Sequence, residues 1–134
     1  MLVLDNNLLS DYLDGNSCAK TFLRGYESEP WAVSGIVLYE AYMGSVHGYI
    51  DGDVETIREA VTSSMDVLEV TGETAAVAAD LQDQLLERGV PADHPDALIA
   101  ASAVEHGGTF ATAEKHFWDP DVRETLDVAE YEPV

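Results

Sequence analysis

Met1-Leu-Val-Leu-Asp-Asn-Asn-Leu-Leu-Ser-Asp-Tyr-Leu13 is the stretch that decides the fold. Leu2, Val3 and Leu4 form an apolar run without alternation, which is how a strand buried on both faces of a parallel sheet reads. The run stops at Asp5. Asn6 and Asn7 follow, and then Leu8, Leu9, Tyr12 and Leu13 recur at helical spacing. A carboxylate between a buried strand and a helix stands at the carboxyl edge of the sheet, where open α/β folds keep their ligands. Asp5 therefore has two readings at this point: an N-cap for the helix, or a group that faces a site.

The same alternation continues outward from this unit. Ser17 is expected to cap a short helix carrying Ala19, Phe22, Leu23 and Tyr26, and after Pro30 the segment Trp31–Ser34 reads as a second strand. Gly35 to about Gly48 reads as a helix with Ile36, Tyr39, Met43 and Val46 as its apolar stripe. Glu40 lies beside that stripe, either as an ordinary solvated glutamate or as a carboxylate one turn inside a helix that starts at the sheet edge. Val54, Ile57, Ala60 and Val61 suggest a further helix, and Met65–Val70 a third strand.

Thr71 is then expected to cap a long helix that buries Thr74, Val77, Ala78, Leu81 and Leu85 and ends before Gly89. Its Glu73, Asp80, Gln82, Asp83, Gln84 and Glu87 read as a solvated face. Asp93 is the expected N-cap of the next helix, with Pro95 in its first turn and Asp96 at the third helical position, facing the positive end of the dipole. The body of that helix, with Ala97, Ala100, Ala101, Ser102 and Ala103, allows close backbone approach. Thr109–Thr112 reads as a fourth strand, Thr112 as a cap for a helical turn running through Phe117, and Leu126–Ala129 as an edge strand. The expected architecture is α/β: one domain over 1–134, a three-layer α/β/α sandwich on a mostly parallel sheet of four to five short strands.

Composition narrows the function classes. The 134 residues carry 26 acidic and 6 basic side chains, a formal charge of −20. The basic residues are scattered at Lys20, Arg24, Arg58, Arg88, Lys115 and Arg123, and form no patch of the kind that binds nucleic acid. The acids are spread along the chain among small residues instead of gathering in a tail. That pattern suits a protein adapted to high intracellular salt, where a Debye length of about 3 Å screens both self-repulsion and repulsion of phosphates. On this reading the charge reports the solvent and leaves an RNA partner possible. Cys18 is the single cysteine, so neither a disulfide framework nor a zinc site is expected. No leader segment and no membrane span is expected, and the location expected is cytoplasmic.

Right-handed crossovers bring the carboxyl ends of parallel strands to one edge. Asp5, Glu40, Asp96 and Glu114 all lie at or just beyond such ends, so all four can face one pocket. Crowded carboxylates repel and raise one another's pKa, which makes the cluster chemically sensible around a hard divalent cation. Mg2+ or Mn2+ fits an all-oxygen donor set. No Ser-His-Asp or Cys-His arrangement competes, and His47, His94, His106 and His116 are dispersed.

Val3-Leu-Asp-Asn-Asn-Leu-Leu-Ser10, Tyr39-Glu40, Asp96-Ala-Leu-Ile-Ala-Ala-Ser-Ala103 and Phe110-Ala-Thr-Ala-Glu114 with Phe117 resemble, in this order, the PIN-domain ribonucleases, most of all VapC-type toxins of toxin–antitoxin pairs. The resemblance implies that Asp5, Glu40 and Asp96 hold the metal and that Thr112 supplies a hydroxyl beside them. It implies Mg2+-assisted hydrolysis of RNA phosphodiesters, a cognate antitoxin protein that covers the active-site groove, and a homodimer. Two positions depart from the pattern: Glu114 stands where Asp or Asn is usual, and Asn6 where Thr is usual. Glu114 carries the same charge on a longer arm, and Asp93 is the alternative fourth ligand.

Other classes make weaker matches. A catalytically silent PIN-like binding module and a solitary RNA-processing nuclease remain the alternatives. A haloacid-dehalogenase-like phosphatase needs an acid where Asn7 stands. A receiver domain needs an early acidic pair and a lysine at a late strand end, whereas Lys115 lies in a helical turn.

Overall fold

The computed structural model describes residues 1–133; the last residue of the expected domain, Val134, lies outside them. Five short strands form one sheet: β1 (Leu2–Leu4), β2 (Trp31–Ser34), β3 (Asp66–Leu68), β4 (Thr109–Thr112) and β5 (Val128–Glu130). Their order is β3-β2-β1-β4-β5, and every neighbouring pair is parallel. Leu2, Val3 and Leu4 are wholly buried, as a central strand covered on both faces requires. The expected three-layer α/β sandwich is therefore observed.

The helices are α1 (Asn6–Leu13), α2 (Ser17–Arg24), α3 (Gly35–Val46), α4 (Val54–Thr62), α5 (Gly72–Glu87), α6 (His94–Glu105) and α7 (Pro120–Arg123), with a 3-10 turn at Lys115–Trp118. The chain runs outward from β1 through β2 to β3, then crosses back to β4. Right-handed crossovers in opposite directions put α1–α4 on one face of the sheet and α5 and α6 on the other. Helix α6 packs against α5 on one side and against β1 and β4 on the other. Its Ala97, Ala100, Ala101, Ser102 and Ala103 are all buried, so the small residues do serve close approach. Gly108 does the same before β4: a Cβ there would lie 2.9 Å from the Met1 carbonyl oxygen, which accepts the Thr109 N–H at 3.0 Å.

Several local expectations change. Asn16, not Ser17, caps α2, its Oδ1 accepting the Cys18 N–H at 2.7 Å; an Asx side chain two residues back reaches that amide without distortion. The third strand is shorter than expected, since Met65 closes the last turn of α4 by donating to Val61 O and Glu69-Val70 lead into the α5 cap. On α3 the buried residues are Val37 and Ala41, while Tyr39 and Val46 are 62 % and 64 % exposed. This helix is apolar on most of its circumference, so periodicity alone did not identify the inward face. On α5, Val77 is half-buried, and Gln82 leaves the solvated face to bond the backbone of Ala92. Asp93 stands at the N-cap of α6 but makes no capping hydrogen bond.

Candidate active site

Asp5 is the first residue beyond β1, and its N–H still donates to Ala111 O across the sheet at 2.9 Å. Register does the rest: Leu4 pairs with Ala111, so Asp5 stands beside Thr112 at the carboxyl edge. Thr112 Oγ1 donates to Asp5 Oδ2 at 2.6 Å, and Asn6 N–H donates to Asp5 Oδ1 at 2.8 Å. Asp5 therefore caps α1, as one reading of the sequence expected, and its carboxylate also lies within electrostatic reach of other acids. Thr112 caps nothing; it accepts the Glu114 N–H at 3.0 Å, and Glu114 takes the N-cap position of the 3-10 turn. Trp118 Nε1 donates to Thr112 O at 3.0 Å and holds the end of β4 from outside.

Asp5 is 4 % exposed. Burial raises its pKa above the usual carboxylate value; the bonds from Thr112 and Asn6 oppose the rise, and the charges of Asp96 and Glu114 add to it. Glu40, in the second turn of α3, is also raised, first by burial and then by Asp5 and Asp96. Its Oε2 accepts from Asn6 Nδ2 at 3.4 Å. Asp96 is raised by burial, Glu114 and Asp93, against a lowering influence from His116. The structure thus brings Glu40, Asp96 and Glu114 within electrostatic reach of Asp5. Glu40, Glu114 and Asp93 are exposed, Asp96 is half-buried and Asp5 alone is buried.

None of the ion pairs among the described residues involves these four acids. An acidic cluster without a protein cation, built only from oxygen donors, suits a hard divalent ion. Among the described residues, no group of three or more His, Cys, Asp or Glu side chains is gathered closely enough to hold a metal ion as it stands.

Two participants were not identified from sequence. Asn6 steadies Glu40 through its carboxamide, and His116 lies close enough to Asp96 to favour its charged form. Position gave a signal for Asn6, since it follows the strand-end acid; His116 had none beyond its neighbour Glu114.

The chain is thus an α/β domain that gathers acids with no ion-pair partner at the carboxyl edge of a parallel sheet. The PIN domain model matches residues 2–122, and the chain belongs to the PIN-domain family. No curated protein matches the sequence. Among solved structures, the chain is similar to one from a toxin–antitoxin complex of Klebsiella pneumoniae, with 23 % identity over all of both chains and a TM-score of 0.76. It is similar to a chain of VapBC2 from Rickettsia felis bound to a promoter DNA fragment, with 18 % identity over 98 % of each chain and a TM-score of 0.75. It is also similar to a chain of VapBC-5 from Mycobacterium tuberculosis, with 24 % identity over 96 % of each and a TM-score of 0.66. No helix among the described residues is long and apolar enough to cross a membrane.

Proposed function

We propose that the chain is a Mg2+-dependent endoribonuclease and the toxin of a toxin–antitoxin pair. The observation that carries this is the buried Asp5 carboxylate, held by Thr112 at 2.6 Å and facing Glu40, Asp96 and Glu114 with no cation among them. Membership of the PIN-domain family supports the nuclease. The toxin–antitoxin complexes among its structural relatives support the pairing.

In this reading Asp5, Glu40 and Asp96 hold Mg2+, or Mn2+, and Glu114 reaches it or its waters. Bound there, the metal supplies an acidified water and positive charge for the phosphoryl oxygens. The chain's own contribution is to fix its carboxylates. Thr112 is anchored by the Glu114 N–H and presents its proton to Asp5 Oδ2, while the Asn6 N–H holds Oδ1. Each oxygen keeps a further lone pair for a cation. Asn6 Nδ2 steadies Glu40. The substrate is RNA, and high cytoplasmic salt screens its phosphates from the acidic surface.

The partners are a cognate antitoxin and a second copy of the chain. Tyr39, Val46 and Tyr49, at 62 %, 64 % and 82 % exposure, extend an apolar surface along α3 with half-buried Tyr42 and Met43. Tyrosine suits surfaces that are half wet and half covered. An antitoxin arginine entering the acidic pocket would form charge-assisted hydrogen bonds in place of the metal. The test is cleavage of RNA in molar salt with Mg2+, with chelator, and with the product of the adjoining gene. Metal-dependent cleavage that this product suppresses is expected. No cleavage of any RNA leaves a silent binding module, and cleavage that no neighbouring product affects leaves a solitary nuclease.

A further inference from the structure

The loop between α5 and α6 delivers Asp96, yet its own capping residue does not hold it. Asp93 makes no side-chain hydrogen bond to the helix it opens. The grip comes from α5. Gln82 Nε2 donates to Ala92 O at 2.5 Å, and Ala92 N–H donates to Gln82 Oε1 at 2.9 Å. The carboxamide thus pairs with both polar groups of one residue, as a neighbouring strand would. A second hold is the 3.2 Å contact between His116 Nε2 and Val90 O.

Three residues, Asp93, His94 and Pro95, separate Ala92 from Asp96, and little in them can absorb a rotation. Asp93 O accepts the Ala97 N–H at 2.9 Å, and Pro95, in the first turn of α6, has its φ locked by the ring. The orientation of Ala92 is therefore passed on to the first turn of α6. We infer that Gln82 is a positioning residue for the candidate metal site, setting the entry of α6 and with it the aim of the Asp96 carboxylate. This rests on the reading of Asp96 as a metal ligand.

Gln82→Met keeps the length and removes both hydrogen bonds; Gln82→Glu keeps an acceptor for the Ala92 N–H and loses the donor. Hydrogen exchange of the metal-free protein and Mn2+ titration followed by electron paramagnetic resonance read the two links separately. In Gln82→Met, exchange quickens over residues 92–98 while the sheet keeps its protection. Mn2+ affinity falls about tenfold, in the range of outer-sphere substitutions at metal sites, and Gln82→Glu falls in between. In RNA cleavage kcat drops and KM is unchanged.

Wild-type exchange in Gln82→Met overturns the proposal. Faster exchange with wild-type Mn2+ affinity overturns it too, leaving a purely structural clamp. Asp96→Asn is the control: if it weakens Mn2+ binding and Gln82→Met does not, only the positioning role fails. If Asp96→Asn leaves Mn2+ binding unchanged, the ligand reading fails and the positioning role with it.

Discussion

Thr112 Oγ1 donates to Asp5 Oδ2 at 2.6 Å across a sequence separation of 107 residues. Both residues are buried, and they meet because β1 and β4 are parallel neighbours whose carboxyl ends finish level. A buried carboxylate is stabilised by such a donor far more than an exposed one. Replacing Thr112 with Val keeps the shape and removes the hydroxyl, leaving both Asp5 and the Glu114 N–H short of a partner. A loss of about 1–3 kcal/mol in unfolding stability is expected, and Thr112→Ser should recover most of it. Urea denaturation of the three proteins in molar salt measures this. Because the hydroxyl lowers the Asp5 pKa, the acid limb of the pH–activity profile should also move to higher pH in Thr112→Val.

Asp5→Asn, Glu40→Gln and Asp96→Asn each remove one charge from the acidic cluster at nearly constant volume. Each should lower Mg2+-dependent RNA cleavage by at least roughly a hundredfold, since a metal contributes several kcal/mol of charge stabilisation and each 1.36 kcal/mol is tenfold. Circular dichroism should show an unchanged fold. Wild-type rates in all three variants would remove the site assignment.

Glu114→Gln should cost less activity than any of those three. Glu40 and Glu114 are both exposed, but Glu40 Oε2 accepts from Asn6, whereas Glu114, at the N-cap of a 3-10 turn, is anchored at the site by its backbone N–H and not by its carboxylate. Parallel single-turnover assays rank the four variants. A loss equal to that of Asp5→Asn would give Glu114 the same standing as the buried acid.

The pH dependence of the metal-free protein follows from the raised pKa values of Asp5, Glu40 and Asp96. A carboxyl whose folded pKa lies above its unfolded value binds its proton more tightly in the folded state. Stability contributed by that proton is full below the unfolded pKa and is lost as pH rises through the folded one. Starting from ordinary values of 3.8 for Asp and 4.5 for Glu, the loss runs upward from there. Asp96→Asn should therefore be more thermostable than the metal-free wild type at neutral pH and lose that advantage near pH 3. Adding Mg2+ should stabilise the wild type and not the variant. Differential scanning calorimetry across pH, with and without Mg2+, checks both.

The charge of −20 and the exposed face of α3 give a prediction about solution state. The protein should keep its helical circular dichroism in molar salt and lose part of it on desalting, because the described ion pairs are few and surface-exposed and self-repulsion is then unscreened. In molar salt it should run as a dimer. Tyr39→Glu together with Val46→Asp should yield a folded monomer, measured by light scattering. A wild-type monomer, or a double variant that still dimerises, would exclude the α3 face.

Much of this protein was legible from local chemistry. The unbroken apolar run of Leu2–Leu4 gave a doubly covered strand, and the alternation of such runs with helical periodicity gave a parallel α/β sheet, because parallel strands need crossover helices. Asp5, Glu40, Asp96 and Glu114 could be singled out because strand ends of a parallel sheet share one edge. Where local patterns were degenerate, only the tertiary structure decided. The inward face of α3 went to Val37 and Ala41, since an apolar helix has no polar side to mark its outside. Asn16 displaced Ser17 as the cap of α2, since both side chains can reach an amide of that first turn. The hydroxyl of Thr112 beside Asp5 was expected only through the family resemblance, and the Gln82–Ala92 hydrogen bonds not at all. They depend on strand register and on how α5 lies against the loop before α6, and sequence separation carries no information about either.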